Sequence, residues 1–142
     1  MKNHGSCKCG KCRAVIEGLV DFSELQPRFC DCEYCQQHPS AMVSHPKNEI
    51  LVDPKSSMYI AFNGSGQAAF YHCKSCDQLL AVGAILDGAS LGAVNAFLFG
   101  DLGQFAAPIS IQPWRLSSTE KAARWPKVWG RLTVCEDGQV LP

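Results

Sequence analysis

Three cysteines lie close together in the stretch RFCDCEYCQQH. Cys30, Cys32 and Cys35, the triplet, follow the spacing C-x-C-x-x-C, which suits one soft metal ion. Three thiolates around Zn²⁺ leave one coordination position for a water, an alcohol or an external thiol, whose pKa the metal lowers. The spacing therefore predicts either an open, reactive zinc site or a second structural site closed by a fourth residue. The candidates for that fourth ligand are His38, His45, His72 and Cys12.

Two further pairs of cysteines, far apart in the sequence, have the spacing of zinc knuckles. Cys7 and Cys9 lie in CKCGKC, and Cys73 and Cys76 lie in CKSC. Two such pairs make one tetrahedral four-cysteine site. We predict a structural zinc there, which fixes the N-terminus to the middle of the sheet and stabilises the fold. The alternative is a redox C-x-x-C, but a thioredoxin-type motif requires a βαβ context that the sequence does not offer.

The other candidates for chemistry have simpler interpretations. Cys12 and Cys135 are expected to be small buried hydrophobic residues rather than reactive thiols. Asp31 and Glu33 stand between the cysteines of the triplet and could supply a general base. A solvated loop carboxylate is the more common role for such residues.

The composition favours a reducing compartment and argues against several classes of partner. The nine cysteines are an odd number, and the N-terminus MKNHGSCKCGKC lacks the apolar segment of an export signal. Lys+Arg and Asp+Glu both number 13, which argues against nucleic acid or an anionic membrane as a partner. We therefore expect a cytoplasmic protein with a single zinc-binding domain over residues 1–142.

The elements that must position these cysteines are mainly short strands. Glycine and proline recur between apolar runs such as EILVD, SMYIAF and AAFYHC, which is typical of an all-β sandwich or open barrel. NGSG at 63–66 predicts a hairpin turn, and LLAVGAILDGASLGAVNAFLFG favours buried strands over a membrane span. One helix is predicted over LSSTEKAARW, with a capping box of Ser117 and Glu120 and a stop at Pro126. A single helical turn is predicted at 33–38.

In order along the chain, these motifs resemble those of a known family. GSCKCGKC (5–12), CDCEYC (30–35), FYHCKSCDQLL (70–80) and ILDG (85–88) resemble the glutathione-dependent formaldehyde-activating (GFA) family, which includes the centromere-protein-V-like domains. The resemblance covers about residues 3–100. The order C-x-C-G, C-x-C-x-x-C and [FY]-x-C-x-x-C is highly specific to that family.

The resemblance implies a β-tent fold, in which antiparallel sheets are pinned by zinc. It matches the four-cysteine set to a structural zinc site and the triplet to a catalytic zinc site whose open position faces a thiol. The implied activity is that of a carbon–sulfur lyase: glutathione adds to formaldehyde to give S-hydroxymethylglutathione, or the reverse. The implied partner is thus a small-molecule thiol or thiol adduct. The chain differs from the family at Gln36, where members often have an arginine that could help to hold an acidic thiol.

Two other functions compete with this one. A non-enzymatic, zinc-stabilised binding module would leave the second site empty or close it with His38. It would also expose an apolar patch around Trp114, Trp125 and Trp129. A thiol redox enzyme similar to the B-type methionine sulfoxide reductases would use Cys135, but the acidic residues in LTVCEDG would raise the pKa of that thiol.

Overall fold

The computed structural model describes residues 1–136, which are built mainly from short strands. The strands are β1 (Lys2–Ser6), β2 (Arg13–Gly18), β3 (Arg28–Cys30), β4 (Met42–Val43), β5 (Asn48–Asp53), β6 (Met58–Phe62), β7 (Ala69–Cys73), β8 (Leu79–Leu86), β9 (Ala89–Asn95), β10 (Ile109–Ile111) and β11 (Gly130–Val134). The α-helices are α1 (Glu33–Gln37) and α2 (Ser118–Val128), and 3₁₀ helices span Phe22–Glu24, Lys55–Ser57, Ala96–Phe99, Leu102–Gln104 and Pro113–Arg115. The predicted fold, mainly β with one short helix near the C-terminus, is confirmed.

The strands join into one branched sheet. One path runs β1–β2–β5–β11–β9–β4–β3–β10, and a second leaves β9 through β8 and β7 to β6. Most neighbouring strands are antiparallel, whereas β5 pairs with β11 and β3 pairs with β10 in parallel. The partners in these two pairs lie far apart in the chain, so the local strand pattern does not indicate their orientation.

Two hairpins follow one another in the middle of the chain, the second within the long apolar stretch. The predicted turn at 63–66 joins β6 to β7, and the Gly66 amide donates to the Asn63 carbonyl over 3.2 Å. Asp87 and Gly88 join β8 to β9 with φ of 49° and 80°, which is the requirement of a type I′ turn. The apolar stretch thus forms paired strands, as predicted. In the described part of the chain no helix is long and apolar enough to cross a bilayer.

The core has a main part within the sheet and a smaller part under α2. The largest fully buried side chains of the main part are Ile16, Leu25, Ile50, Leu80 and Leu132. In the smaller part the rings of Trp125 and Trp129 stack 4.4 Å apart at 6° and are buried, whereas Trp114 is 52% exposed. The exposed patch expected of a binding module is therefore absent at Trp125 and Trp129.

Helix α2 begins as predicted but ends later. Ser117 Oγ accepts the Glu120 amide over 3.1 Å, and Glu120 Oε1 accepts the Ser117 amide over 2.9 Å, which completes the predicted capping box. The predicted stop at Pro126 is wrong, because the helix continues to Val128. The buried stack of Trp125 on Trp129, and the 2.7 Å hydrogen bond from the Trp129 amide to the Trp125 carbonyl, hold this last turn. The proline removes a single amide donor from the helix.

Candidate metal centre

The four-cysteine cluster (Cys7, Cys9, Cys73 and Cys76) brings together two distant parts of the chain. Cys7 and Cys9 follow β1, Cys73 ends β7 and Cys76 lies in the turn after it. Their sulfur atoms all lie within 4.8 Å of one another, and Cys9 Sγ is 3.6 Å from the sulfurs of both Cys7 and Cys73. Tetrahedral zinc with Zn–S bonds of about 2.3 Å separates its sulfurs by about 3.8 Å. The cluster could therefore hold a metal ion, and its donors fit zinc.

Backbone amides support the charged form of this cluster. The Cys12 amide donates to Cys7 Sγ over 3.3 Å. Burial raises the pKa of Cys73, but hydrogen bonds from the Cys76 and Ser75 amides outweigh burial and lower that pKa to about 6. Thiolate is the form of cysteine that binds metal, so the local backbone prepares the cluster for a cation. A metal bound there would tie the N-terminal loop to β7.

The triplet lies where β3 passes into α1. Cys30 is the last residue of β3, Cys32 is the N-cap of α1 and Cys35 lies within this helix. The Cys35 amide donates to Cys32 Sγ over 3.4 Å, so a thiol occupies the position that serine or aspartate usually takes. The predicted turn at 33–38 corresponds to α1. This capped turn places all three sulfur atoms within 4.8 Å of one another.

The candidate fourth ligands lie elsewhere. Within residues 1–136, the group of closely spaced ligand atoms at the triplet contains its three sulfurs and no other His, Cys, Asp or Glu. His38 instead places Nδ1 3.9 Å from Asp77 Oδ2, and His45 Nδ1 accepts the Lys47 amide over 3.1 Å. Cys12 lies beside the four-cysteine cluster. The triplet is thus a three-sulfur group in the described part of the chain.

The sulfurs of the triplet influence one another's charge. A hydrogen bond from the Cys35 thiol lowers the pKa of Cys30 to about 6, in spite of the opposing effect of burial. The same contact raises the pKa of Cys35. The Cys30–Cys35 pair therefore shares the first negative charge, and a bound cation would favour the thiolate form of all three residues.

The triplet opens into a pocket of about 150 Å³. Large apolar side chains of its walls are Met42, Phe70, Leu79, Val82, Ile111 and Trp125. Three cations, Arg28, Lys121 and Arg124, also line the pocket, and its lining includes no Asp or Glu. Sequence reasoning missed these cations. The available signals were the position of Arg28 two residues before Cys30 in a strand, and the helical spacing of Lys121 and Arg124.

Asp31 fixes one wall of the pocket. Its carboxylate accepts Trp114 Nε1–H over 2.5 Å and Gln112 Nε2–H over 2.7 Å. These two hydrogen bonds, the one from Trp114 first, lower the pKa of Asp31. The residue therefore stays a carboxylate that holds Trp114 at the pocket. This contact gives Asp31 a positioning role that the sequence did not indicate.

A polar network lies between the two clusters. His72 is fully buried; its Nδ1–H donates to the Asp77 carbonyl over 3.2 Å, and its Nε2 accepts the Tyr34 hydroxyl. The Tyr59 hydroxyl donates to the Asp77 carboxylate, and the Tyr59 ring stacks on His72. His38, His72 and Asp77 form a further group of closely spaced ligand atoms. Both nitrogens of His72 are engaged in hydrogen bonds, so this group is better described as a network than as a metal site.

The two remaining cysteines are buried, as predicted. Cys12 is 1% exposed, and its thiol donates to the Ser57 carbonyl over 3.6 Å. Cys135 is 5% exposed, and burial, together with the charge of Asp53, raises the pKa of its thiol. A raised pKa and low exposure are the opposite of what a redox nucleophile requires. The geometry therefore gives no support to a redox role for Cys135.

Comparisons with known proteins bear on the fold alone. No protein family profile matches the chain, and no curated protein matches it in sequence. Among solved structures, the chain is similar to the crystal structure of a Rhodobacter sphaeroides protein determined as a structural genomics target. The two chains are 18% identical with a TM-score of 0.53, and the match covers 73% of this chain and 98% of the other. At this identity the likeness indicates a shared fold.

Proposed function

We propose that the chain is a zinc-dependent carbon–sulfur lyase of the GFA type, acting on thiol–aldehyde adducts. S-hydroxymethylglutathione is the adduct that the sequence resemblance implies. The observation that carries the proposal is the contrast between the two clusters: one has four sulfurs and the other has three sulfurs that open into a pocket. Structural zinc sites are closed by four ligands, whereas catalytic ones keep a position for substrate.

The proposed reaction needs no oxidant or reductant. In the lyase direction the carbon–sulfur bond of an S-hydroxymethyl adduct breaks, and its electron pair stays on sulfur. The electron pair of the hydroxyl O–H bond becomes the second carbon–oxygen bond of formaldehyde, and the hydroxyl proton is released. Protonation of the sulfur then gives the free thiol, so atoms and charge balance.

The chain's own residues would bind and shield the substrate. Zinc held by the triplet would supply a Lewis acid that favours the thiolate form of a bound thiol. The Cys35 amide supports the negative charge of Cys32 through its hydrogen bond. Phe70 and Val82 line the pocket with apolar surface, which limits water around the reacting sulfur. Asp31 holds Trp114 at the pocket.

The test combines zinc content with exchange kinetics. Protein is purified without oxygen and with zinc supplied, as the native chain and as Cys32→Ser and His38→Ala. Because serine is itself a favoured N-cap, Cys32→Ser removes a ligand while keeping the start of α1. Elemental analysis measures zinc per chain, and ¹³C exchange NMR measures how fast labelled formaldehyde interconverts with the S-hydroxymethyl adduct.

We expect two zinc ions per native chain, a single ion in Cys32→Ser and two in His38→Ala. Exchange should be accelerated by the native chain and by His38→Ala, and return to the uncatalysed rate with Cys32→Ser. One zinc in all three proteins would contradict the proposal and favour the zinc-stabilised binding module. Loss of the second zinc in His38→Ala would identify a closed structural site.

A further inference from the structure

The pocket beside the triplet carries a local excess of positive charge. Arg28, Lys121 and Arg124 line it without any carboxylate among the lining residues. The ion pairs formed within residues 1–136 are Arg13–Asp53 and Arg131–Glu49, so none involves these three cations. The chain as a whole has no net charge. The excess therefore belongs to this pocket rather than to the protein surface in general.

Arg28 is held in place by neutral partners. Its Nη2–H donates to Ser44 Oγ over 2.6 Å, and the Ser44 hydroxyl donates to the Val128 carbonyl over 2.5 Å. Arg28 and Arg124 both line the pocket, and an arginine guanidinium is charged at neutral pH. Two like charges thus share a partly buried space. Such a space favours an anion, because guanidinium groups form strong charge-assisted hydrogen bonds with carboxylates.

The cations and the triplet are arranged around the same space. Arg28 and Cys30 are two residues apart in β3, so their side chains lie on the same face, about 6.6 Å apart along the strand. Lys121 and Arg124 are three residues apart in α2 and share a face of that helix. A Cβ built on Gly64 would lie 3.8 Å from Lys121 Nζ, which places this ammonium at the turn between β6 and β7. Positive charge therefore surrounds the space next to the sulfurs.

The spacing of the groups favours a short ligand, because Arg28 and Cys30 lie about 6.6 Å apart along β3. The apolar walls suit a short methylene chain between a sulfur at the triplet and an anion at the cations.

We infer that the pocket binds a small mercaptocarboxylate, with its sulfur at the triplet and its carboxylate at Arg28 and Arg124. In the reaction above, the substrate would then be the S-hydroxymethyl adduct of such a thiol rather than that of a tripeptide. This inference rests on the proposed function, because it assigns the sulfur of the substrate to the same three cysteines. It adds the two arginines that would bind the carboxylate of the substrate.

The test is a calorimetric titration of the zinc-supplied, full-length chain with three thiols. Mercaptopropionate is small and anionic, mercaptoethanol is small and neutral, and glutathione is large and anionic. We expect mercaptopropionate to bind about 10- to 100-fold more tightly than mercaptoethanol, which is the range of a charge-assisted hydrogen bond. It should also bind more tightly than glutathione. The preference for the anion should decrease as salt is added.

Matched variants separate the pocket from the general charge of the chain. Arg124→Gln should reduce the preference for mercaptopropionate over mercaptoethanol at least tenfold. Arg131→Gln makes the same change at an exposed arginine outside this pocket and should leave the preference as in the native chain. Thermal unfolding of each variant confirms that it is folded. Because Arg124→Gln removes one of two like charges, it should not destabilise the fold.

The outcomes distinguish this inference from the proposed function. Equal affinities for mercaptopropionate and mercaptoethanol, or an unchanged preference in Arg124→Gln, would overturn the inference. Glutathione binding as tightly as mercaptopropionate would overturn its size limit. Acceleration of adduct exchange with equal efficiency on all three thiols would uphold the lyase and reject the inference. A strong, Arg124-dependent preference without accelerated exchange would uphold the anion site and reject the lyase.

Discussion

Replacing Cys76 with serine should make the stability of the fold nearly independent of zinc. The substitution removes one sulfur from the four-cysteine cluster, whereas Cys32→Ser makes the same chemical change in the triplet. The four-cysteine cluster joins the N-terminal loop to β7, and the triplet lies within one short segment around α1. We therefore expect a large loss of zinc-dependent stability in Cys76→Ser and a small loss in Cys32→Ser.

The magnitude follows from the length of chain that the cluster closes. Cys9 and Cys73 are 64 residues apart. A cross-link over a loop of that length removes conformational entropy worth about 4 kcal/mol from the unfolded chain. Small proteins have a total free energy of unfolding of about 5–15 kcal/mol, so this contribution is a large share of it. The metal–sulfur bonds add to the effect.

The assay is urea unfolding followed by tryptophan fluorescence, with zinc present or with a chelator. Trp125 and Trp129 are buried and report on the loss of packing. For a slope of about 2 kcal/mol per molar urea, a contribution of about 4 kcal/mol moves the midpoint by about 2 M. The native chain and Cys32→Ser should show most of this shift on adding zinc, and Cys76→Ser should show little of it.

Any of three results would refute this reasoning. A full zinc-dependent shift in Cys76→Ser would mean that the four-cysteine cluster does not stabilise the fold. Loss of the shift in Cys32→Ser would mean that the triplet is the stabilising site. A shift far below 1 M in the native chain would show that the unfolded chain binds zinc nearly as well as the folded one.

Three further predictions concern the sheet, the helix and the pocket wall. In Gly92→Ala the new Cβ would lie 2.3 Å from a backbone oxygen of β8, so we expect a loss of about 1–3 kcal/mol in urea unfolding. In Gly103→Ala the new Cβ lies 3.4 Å from a flexible carboxylate, and the loss should stay below about 0.5 kcal/mol. Hydrogen bonds at the N-cap lower the pKa of Glu120. The stabilisation from its carboxylate is therefore present above the pKa of Glu120 in the unfolded chain, and it is lost as pH falls through the lower pKa in the folded chain. Glu120→Gln should flatten the acid side of the curve of melting temperature against pH. Trp114→Phe removes the hydrogen bond to Asp31 and should weaken mercaptopropionate binding about threefold to tenfold, with unchanged zinc content. Unchanged binding would mean that the position of the Trp114 ring does not affect the ligand.

Local sequence signals predicted the turn at 63–66 and the capping box of α2 because those features depend on neighbouring residues. Each of the two is specified within a few positions. The end of α2 was mispredicted because burial of Trp125 and Trp129 against β8 and β9 outweighs the local effect of proline. The parallel pairing of β5 with β11 likewise depends on residues far apart in sequence.

The candidate site likewise has parts that local sequence predicts and parts that depend on distant contacts. The spacing of the cysteines was sufficient to group the seven sulfurs into the two sets that the structure brings together. The cations of the pocket were not predictable in this way, because Arg28 reaches it from β3 and Arg124 reaches it from α2. The contact between Asp31 and Trp114 joins residues 83 positions apart. Ligand spacing is a local property, whereas the walls of a pocket are set by the packing of distant elements.

The polar network connects the triplet to the four-cysteine cluster. Tyr34 lies in α1 between two cysteines of the triplet, and its hydroxyl bonds to His72. His72 directly precedes Cys73, which ends β7. Its Nδ1–H donates to the carbonyl of Asp77, the residue that directly follows Cys76. A metal in the four-cysteine cluster would therefore fix the backbone that orients α1 and the triplet. Helix α1 has five residues, none of them buried, so its disturbance would leave the sheet intact. An open tri-thiolate site is prone to oxidation, and this arrangement would let the triplet lose and regain a bound metal without loss of the fold.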